Sequence, residues 1–289
     1  MTAGGGPIAR IRSYGRMIRF SHSVFALPFA LTAAVLAGRD GISARQVFWI
    51  VVAMVGARSA AMGMNRLADH DFDARNPRTA GRELPRGVLS RGEVWFFVLL
   101  SALVLVLASA MLNPVCLALS PVALAIVFGY SYTKRFTALS HLALGLALAV
   151  APVGAWIAIR GAIGWPPVVL GLAVLMWVAG FDAIYACQDV EVDRREGLHS
   201  LPARLGVPRT LFLARLFHAG AVGLLLLLYA LVPLHPLYLA GVVAVAGLLA
   251  FEHSLVRADD LSRVMQAFNL NGWVSLGYFG CTLLAVLLA

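Results

Sequence analysis

Residues 165–193 read WPPVVLGLAVLMWVAGFDAIYACQDVEVD, an apolar run that ends in a cluster of acids. The run is long enough to cross a lipid bilayer, because a transmembrane helix needs about 20 predominantly apolar residues. Charged groups at or near hydrocarbon are costly, and acids retained there indicate a functional ion site. This stretch therefore predicts a membrane helix that leads into a site built from carboxylates.

Composition extends the prediction to the whole chain. The protein has 289 residues, of which 61% are hydrophobic and 13% charged, whereas roughly a quarter of the residues in a soluble domain are charged. We predict an all-α, polytopic membrane bundle of about nine transmembrane helices that forms a single domain, residues 1–289. The predicted spans are residues 20–38, 46–64, 94–112, 114–131, 139–159, 165–186, 210–232, 234–252 and 267–288.

The basic residues set the expected orientation of this bundle. With nine spans, most of the 23 Lys and Arg residues fall on one side, and only Arg39, Arg45 and Arg160 lie on the other. The positive-inside rule then places the N-terminus and the acidic cluster on the cytoplasmic side of a bacterial-type inner membrane. Because the basic excess follows the sides of the membrane, it does not indicate nucleic acid as a partner.

A second acidic cluster with helical spacing lies at the end of an earlier apolar run. There Asn65, Asp69 and Asp73 are four residues apart, which places three oxygen donors on one helix face. Asp189 and Asp193 repeat the spacing. Carboxylate and amide oxygens, with no His or Cys partner at metal spacing, favour a hard cation such as Mg²⁺. Such a cation usually takes one or two carboxylates and completes its shell with water and substrate phosphates.

Each acidic cluster is followed by a loop that mixes arginines with turn-forming residues, at residues 75–87 and 194–209. These loops suit either a solvated surface or a lid over an anionic substrate. Carboxylates alone would also suit a proton relay or a cation pathway, but the adjacent arginines favour an anionic ligand held through metal. The residues therefore predict a metal-bridged diphosphate site.

Three motifs in this order carry a family resemblance. Residues 65–73, NRLADHDFD, followed by residues 78–87, RTAGRELPRG, resemble the first signature of the UbiA-type membrane prenyltransferases. Residues 189–193, DVEVD, are similar to the second signature, and residues 130–137, YSYTKRFT, resemble the family's Tyr-x-x-x-Lys segment. The resemblance covers nearly the whole chain and implies the UbiA prenyltransferase fold.

Within that family, residues 21–30, 57–66 and 187–202 are similar to the 4-hydroxybenzoate polyprenyltransferase-like branch. They more closely resemble the subgroup assigned to menaquinone synthesis by the futalosine route. The resemblance implies Mg²⁺-dependent transfer of a polyprenyl group from polyprenyl diphosphate to a ring carbon of 4-hydroxybenzoate or 1,4-dihydroxy-6-naphthoate, in ubiquinone or menaquinone biosynthesis. The expected partners are these two substrates and the lipid bilayer, with no obligate protein partner evident.

The resemblance assigns metal roles to the acidic motifs. We expect Asn65, Asp69 and Asp73 to hold one Mg²⁺, and Asp189 and Asp193 to hold a second. The alternative is that they are solvated charges at helix ends.

A second set of residues is expected to bind the diphosphate. Lys134 is the best contact outside the metals, with Tyr130 one turn before it, and the alternative for Lys134 is a positive-inside anchor. Arg78 and Arg82 are expected to clamp phosphate oxygens, with ordinary loop charge as the alternative.

Arg58 and Asp182 lie deeper in the predicted bundle. Arg58 falls about two turns inside the second span, on the same face as Asn65. A buried arginine needs a partner, which is either Asp182 or the carboxylate of the acceptor. Asp182 would then orient Arg58 or accept the phenolic proton. We predict both residues to be catalytic and acceptor-binding.

Several weaker signals stay open. Asp71 and Glu191 lie off the faces of their acidic neighbours and are either helpers or bystanders. His141 is a weak candidate for the site. Gly145 and Gly154 are expected to serve close helix packing.

A weak internal repeat overlays residues 189–193 on either 65–69 or 69–73, and the first overlay brings Arg58 onto Asp182. Two functional alternatives accompany the main prediction. One is a secondary transporter, which would place carboxylates near span middles. The other is a prenyltransferase of the same fold with a different acceptor.

Overall fold

The structure is a computed structural model that describes residues 7–18 and 25–289. Helices dominate it, and a short 3₁₀ turn at Cys187–Asp189 joins two of them. The helices are α1 (Pro7–Met17), α2 (Leu27–Ala37), α3 (Ala44–Ala68), α4 (His70–Arg75), α5 (Arg91–Leu112), α6 (Pro114–Thr133), α7 (Ser140–Arg160), α8 (Trp165–Ala186), α9 (Val190–Arg195), α10 (Leu201–Leu205), α11 (Val207–Leu231), α12 (Leu237–Leu255) and α13 (Val264–Leu287).

The prediction of an all-α membrane bundle is confirmed. Within the described ranges, eight helices are long and apolar enough to cross a membrane, and they match eight of the predicted spans. The ninth, predicted at residues 20–38, contains α2, an apolar helix of 11 residues that is shorter than the roughly 20 residues of a spanning helix. Residues 20–24 of that stretch, and with them part of the 21–30 segment, lie outside the described residues.

The outer surface of the bundle is apolar. Phe96, Val243 and Leu287 are each about 70% exposed, and many other large apolar side chains share this surface. Water-facing surfaces rarely carry contiguous apolar area of this kind. The outside of the bundle is therefore the lipid-facing surface of an integral, multi-pass membrane protein.

Helix α8 occupies the centre of the bundle. It packs against α7 and α11, and 67% of its span is buried, against 39% or less for the other spans. Around it, α3 packs on α5 and α6, and α12 packs on α13. Because the acidic segment continues directly from the end of α8, its carboxylates emerge in the middle of the bundle rather than at its edge.

Close packing of α7 against α8 depends on Gly145. A Cβ atom at this position would lie 2.4 Å from the carbonyl oxygen of Leu175, far inside contact distance. Gly154, on the same helix, has no atom within 4 Å of its Cβ position. The packing role is therefore confirmed for Gly145 and is wrong for Gly154.

We expect Gly145→Ala to destabilise the protein by about 1–3 kcal/mol, since the methyl group forces α7 and α8 apart. Gly154→Ala is the matched control and is expected to leave stability unchanged or slightly raised, because alanine favours the helix. Thermal unfolding in detergent measures both variants. Equal melting temperatures for the two would contradict the packing interpretation.

Candidate active site

The two acidic motifs interrupt their helices in the same way. Asp69 separates α3 from α4 with φ −92° and ψ 3°, and Asp189 precedes α9 with φ −104° and ψ 6°. Each is followed by a helix of six residues. The geometry therefore supports the overlay of residues 69–73 on 189–193. The other overlay, which put Arg58 at the position of Asp182, is not supported.

Arginines from the first loop neutralise carboxylates of both motifs. Arg82 donates from one guanidinium nitrogen to both oxygens of Asp73, at 2.7 and 2.6 Å. Arg78 engages Asp189 across the site through two nitrogens, with Nε 2.9 Å from Oδ1. The amide of Asn76 donates to the same Oδ1 at 3.0 Å. Asp73 and Asp189 are both buried, so these contacts hold charge away from water and join the two motifs.

Lys134 lies among the carboxylates of both motifs. Its Nζ is 3.3 Å from Oδ1 of Asp193, a side chain only 3% exposed. Burial by itself lowers the pKa of Lys134, but Asp193, followed by Asp182, Asp69 and Asp189, raises it above its ordinary value. Lys134, which is predicted to bind the diphosphate, therefore lies at the electrostatic centre of the site.

Asp69 is short of positive charge. Its Oδ2 accepts a hydrogen bond of 2.9 Å from Nδ2 of Asn65, and Arg66 donates in turn to Oδ1 of Asn65 at 3.1 Å. Burial, and then the neighbouring carboxylate of Asp73, raise the pKa of Asp69 to about 6. A divalent cation at this point would relieve both effects.

The donor set fits a cation that is shared with a phosphate ligand. Within the described residues, no group of three or more His, Cys, Asp and Glu side chains is gathered closely enough to hold a metal ion unaided. Oδ2 of Asp193 is nevertheless buried without a hydrogen bond from that part of the chain. Buried oxygens normally have a partner. These residues fit Mg²⁺, which completes its shell with water and phosphate oxygens.

Asp182 pairs with a histidine. Its Oδ2 lies 2.6 Å from Nδ1 of His141. Among the described residues, Asp182 forms no ion pair with an arginine. Of the two alternatives for Arg58, the structure shows no ion pair with Asp182 in the part of the chain that it describes, and binding of the acceptor carboxylate stays a prediction. Arg58, on α3, interacts electrostatically with the phenol of Tyr130 on α6. Asp182 is therefore held by α7, through His141.

Two acidic residues within the motifs are exposed to solvent, unlike the buried carboxylates beside them. Asp71 is 68% exposed and pairs with Arg91 at 2.7 Å, whereas Glu191 is 83% exposed and pairs with Arg194 at 3.5 Å. Both point away from the buried motif carboxylates, so neither contributes to the cluster.

Contacts between the two long loops were not predicted from the sequence. Arg75 pairs with Glu196 at 2.6 Å, and Arg195 donates to the backbone carbonyl of Arg75 at 3.2 Å. The hydroxyl of Tyr185 accepts from Arg78 at 2.7 Å. The sequence could have pointed to Tyr185, because this residue of α8 lies about one helical turn from Asp182 and from Asp189. No pattern in the sequence pointed to Glu196, because its partner Arg75 comes from a different loop.

Fold and site together define the class of the protein. It is a polytopic membrane protein whose central helix leads into a buried site where carboxylates meet arginine and lysine side chains from two loops. The model of the UbiA prenyltransferase family matches residues 26–276. The chain belongs to the UbiA prenyltransferase family, as the motif resemblance implied. This membership leaves the secondary transporter without support.

Curated relatives and solved structures agree with this membership. The chain is 32% identical to 4-hydroxybenzoate octaprenyltransferase of Tolumonas auensis over 79% of both chains. It is 28% identical to that of Cupriavidus metallidurans over 97% of this chain and 96% of the relative.

Among solved structures, the apo UbiA homolog from Aeropyrum pernix K1 superposes with a TM-score of 0.84 at 34% identity, over 91% of this chain and 97% of that one. A UbiA homolog from Archaeoglobus fulgidus bound to GPP and Mg²⁺ shares the fold, with a TM-score of 0.73 at 19% identity over 96% and 100%.

Proposed function

We propose that the protein transfers a polyprenyl group from polyprenyl diphosphate to a ring carbon of a phenolic aromatic carboxylate, in quinone biosynthesis. The observation that carries this proposal is the position of Lys134 among the carboxylates of both acidic motifs. Such an arrangement binds an anion only when further cations arrive with it. The names of the curated relatives support an aromatic acceptor, and the complex of the Archaeoglobus fulgidus homolog supports Mg²⁺.

Asn65, Asp69 and Asp73 would hold one Mg²⁺, and Asp189 and Asp193 would hold another. When bound, Mg²⁺ supplies neutralisation of the charge that develops on the departing diphosphate. Burial and the contacts with cationic side chains hold Asp73, Asp189 and Asp193 in place before substrate arrives.

Arg78, Arg82 and Lys134 bind the diphosphate in this proposal. Without substrate they neutralise Asp189, Asp73 and Asp193. Cations that arrive with the diphosphate satisfy these acids, which leaves the guanidinium and ammonium groups to donate to phosphate oxygens. Arginine suits this exchange because its planar fork fits carboxylate and phosphate equally.

Arg58 receives the carboxylate of the acceptor, and Asp182 receives the phenolic proton. As the ring carbon bonds to the allylic carbon, the C–O bond to diphosphate breaks and the phenol O–H proton passes to Asp182. The ring then loses its C–H proton and the phenol oxygen regains one, which restores aromaticity. One proton is released overall.

The membrane orientation belongs to the same proposal. The distribution of Lys and Arg supports an inner-membrane protein with its N-terminus and active site on the cytoplasmic side. A soluble acceptor then enters from the cytoplasm, while the prenyl chain stays in the bilayer.

An assay in membranes tests the proposal. Membranes containing the protein are given Mg²⁺ and a polyprenyl diphosphate, with 4-hydroxybenzoate and 1,4-dihydroxy-6-naphthoate offered separately. A prenylated product from one of them identifies the acceptor and, with it, the ubiquinone or menaquinone route. Chelation of Mg²⁺ should abolish the product. Absence of product from both acceptors would overturn the assignment of a phenolic carboxylate.

Arg58→Ala is expected to raise the KM of the acceptor by about 10-fold to 100-fold, because a charge-assisted contact contributes about 1.5–3 kcal/mol. The KM of polyprenyl diphosphate should change little. Steady-state kinetics with each substrate varied in turn measures both constants. Phenol, which lacks the carboxylate, is the matched control and should react equally with variant and wild type. A larger rise in the KM of the diphosphate would assign Arg58 to the donor instead.

A further inference from the structure

We infer that His141 is a positioning residue, which holds the carboxylate of Asp182 in the orientation that accepts the phenolic proton. This inference deepens the proposed function and rests on it. His141 is the second residue of α7 and is 1% exposed, although it belongs to neither acidic motif. A buried imidazole at 2.6 Å from a partly exposed carboxylate needs a physical explanation.

The hydrogen bonds determine where the imidazole carries its proton. The backbone N–H of Leu201 donates to Nε2 of His141 at 3.3 Å. A backbone N–H only donates, so Nε2 acts as acceptor and carries no proton. The proton of the neutral ring is then on Nδ1, from which it is donated to Oδ2 of Asp182. With both ring nitrogens committed, His141 has no route for passing a proton onward, so it orients Asp182 rather than relaying from it.

The orientation of the Asp182 carboxylate needs a partner to fix it, because the terminal torsion angle of an aspartate has a broad distribution. Asp182 projects from the central helix α8 with its side chain 25% exposed toward the site. The imidazole is fixed by burial and by Leu201, and it occupies Oδ2. Oδ1 is thereby directed to the phenol. A displacement of about 1 Å at a reacting group costs roughly 100-fold in rate.

The same contact connects proton transfer with loop structure. Leu201 is the first residue of α10, in the loop that follows Asp193. The backbone of His199 in this loop donates to the carbonyl of Lys134 at 2.7 Å. The loop thus supports both the diphosphate contact and the histidine behind Asp182.

Three variants test this role in membranes with Mg²⁺, polyprenyl diphosphate and the acceptor that wild type uses. His141→Leu removes the donor to Asp182 at nearly constant size and is expected to lower kcat about 10-fold to 100-fold, with both KM values unchanged. His141→Asn keeps an amide donor near the position of Nδ1 and should recover most of that loss. His141→Gln places its amide near Nε2 instead and should recover little. His235→Leu, exposed in a distant loop, is the control.

A double variant separates positioning from general damage. If His141 acts through Asp182, adding His141→Leu to Asp182→Asn lowers kcat no further. Multiplicative losses in the double variant, a wild-type kcat for His141→Leu, or equal losses for the Asn and Gln variants would each overturn the inference. If His141→Leu does not fold, the comparison of His141→Asn with His141→Gln decides. An inactive wild type would instead overturn the proposed function itself.

Discussion

Asp189→Ala is expected to lower turnover by roughly 10³-fold or more. Asp189 is buried, and it is contacted at once by Arg78 and Asn76 from the other acidic segment. Removing its carboxylate takes away a proposed cation ligand and leaves the guanidinium of Arg78 without its counter-charge. Charge stabilisation by a metal contributes several kcal/mol to such a reaction, and each 1.36 kcal/mol corresponds to a factor of ten.

Asp69→Ala should have an effect of the same size, because burial and the carboxylate of Asp73 raise the pKa of Asp69 to about 6, and a bound cation would relieve both effects. Prenyl transfer in membranes, normalised to the amount of folded protein, measures both losses. Glu191→Ala and Asp71→Ala are matched controls from the same two segments, and their exposed side chains predict activity within about twofold of wild type. Retained turnover in Asp69→Ala or Asp189→Ala would overturn the metal assignment.

Lys134→Met is expected to lower kcat by about 10²-fold to 10³-fold, the loss seen when one preorganised donor to a developing anion is removed. The substitution also removes the ion-pair partner of the buried carboxylate of Asp193. Breaking a buried pair destabilises strongly, but Lys134 is 34% exposed, so solvent reduces the cost to about 1–3 kcal/mol.

Stability and rate are therefore expected to respond differently to ligand. Mg²⁺ with a non-hydrolysable prenyl diphosphate analogue should restore much of the melting temperature of Lys134→Met, since it returns positive charge to Asp193, while kcat stays low. Arg135→Met is the neighbouring control: the Arg135 guanidinium is exposed and lies over Phe72 and Tyr132. Recovery of kcat at saturating Mg²⁺ would contradict a direct contact between Lys134 and the diphosphate.

Local patterns in the sequence predicted what local physics controls. Long apolar runs are sufficient for membrane helices, because a backbone in hydrocarbon must satisfy its own hydrogen bonds. Spacing by four residues placed Asp69 and Asp73 together, and the backbone bond from Asp73 N–H to the carbonyl of Asp69, at 2.7 Å, preserves this spacing across the helix break. The family followed from the order of the motifs and is confirmed by the match over residues 26–276.

Spacing alone could not distinguish the acids that are buried from those that are exposed. Asp71 and Asp73 are two residues apart, but Asp71 points to solvent with Arg91 and Asp73 points inward to Arg82. The direction of the bundle interior decides between them, and it depends on how α3 and α4 are rotated against their neighbours. Helical spacing shows which residues share a face of the helix, but it does not show which face is buried in the bundle.

The sequence by itself determined the membrane bundle, the two acidic motifs and the family, because each depends on residues that are near neighbours along the chain. Only the tertiary structure decided which charges meet. Asp182 is 41 positions from His141, and Arg78 is 111 from Asp189. Such pairs form when separate helices and loops pack at a particular distance and rotation, and helical periodicity does not encode either quantity. For that reason the sequence left the partner of Asp182 open, and only the packing of α7 against α8 brings Asp182 to His141.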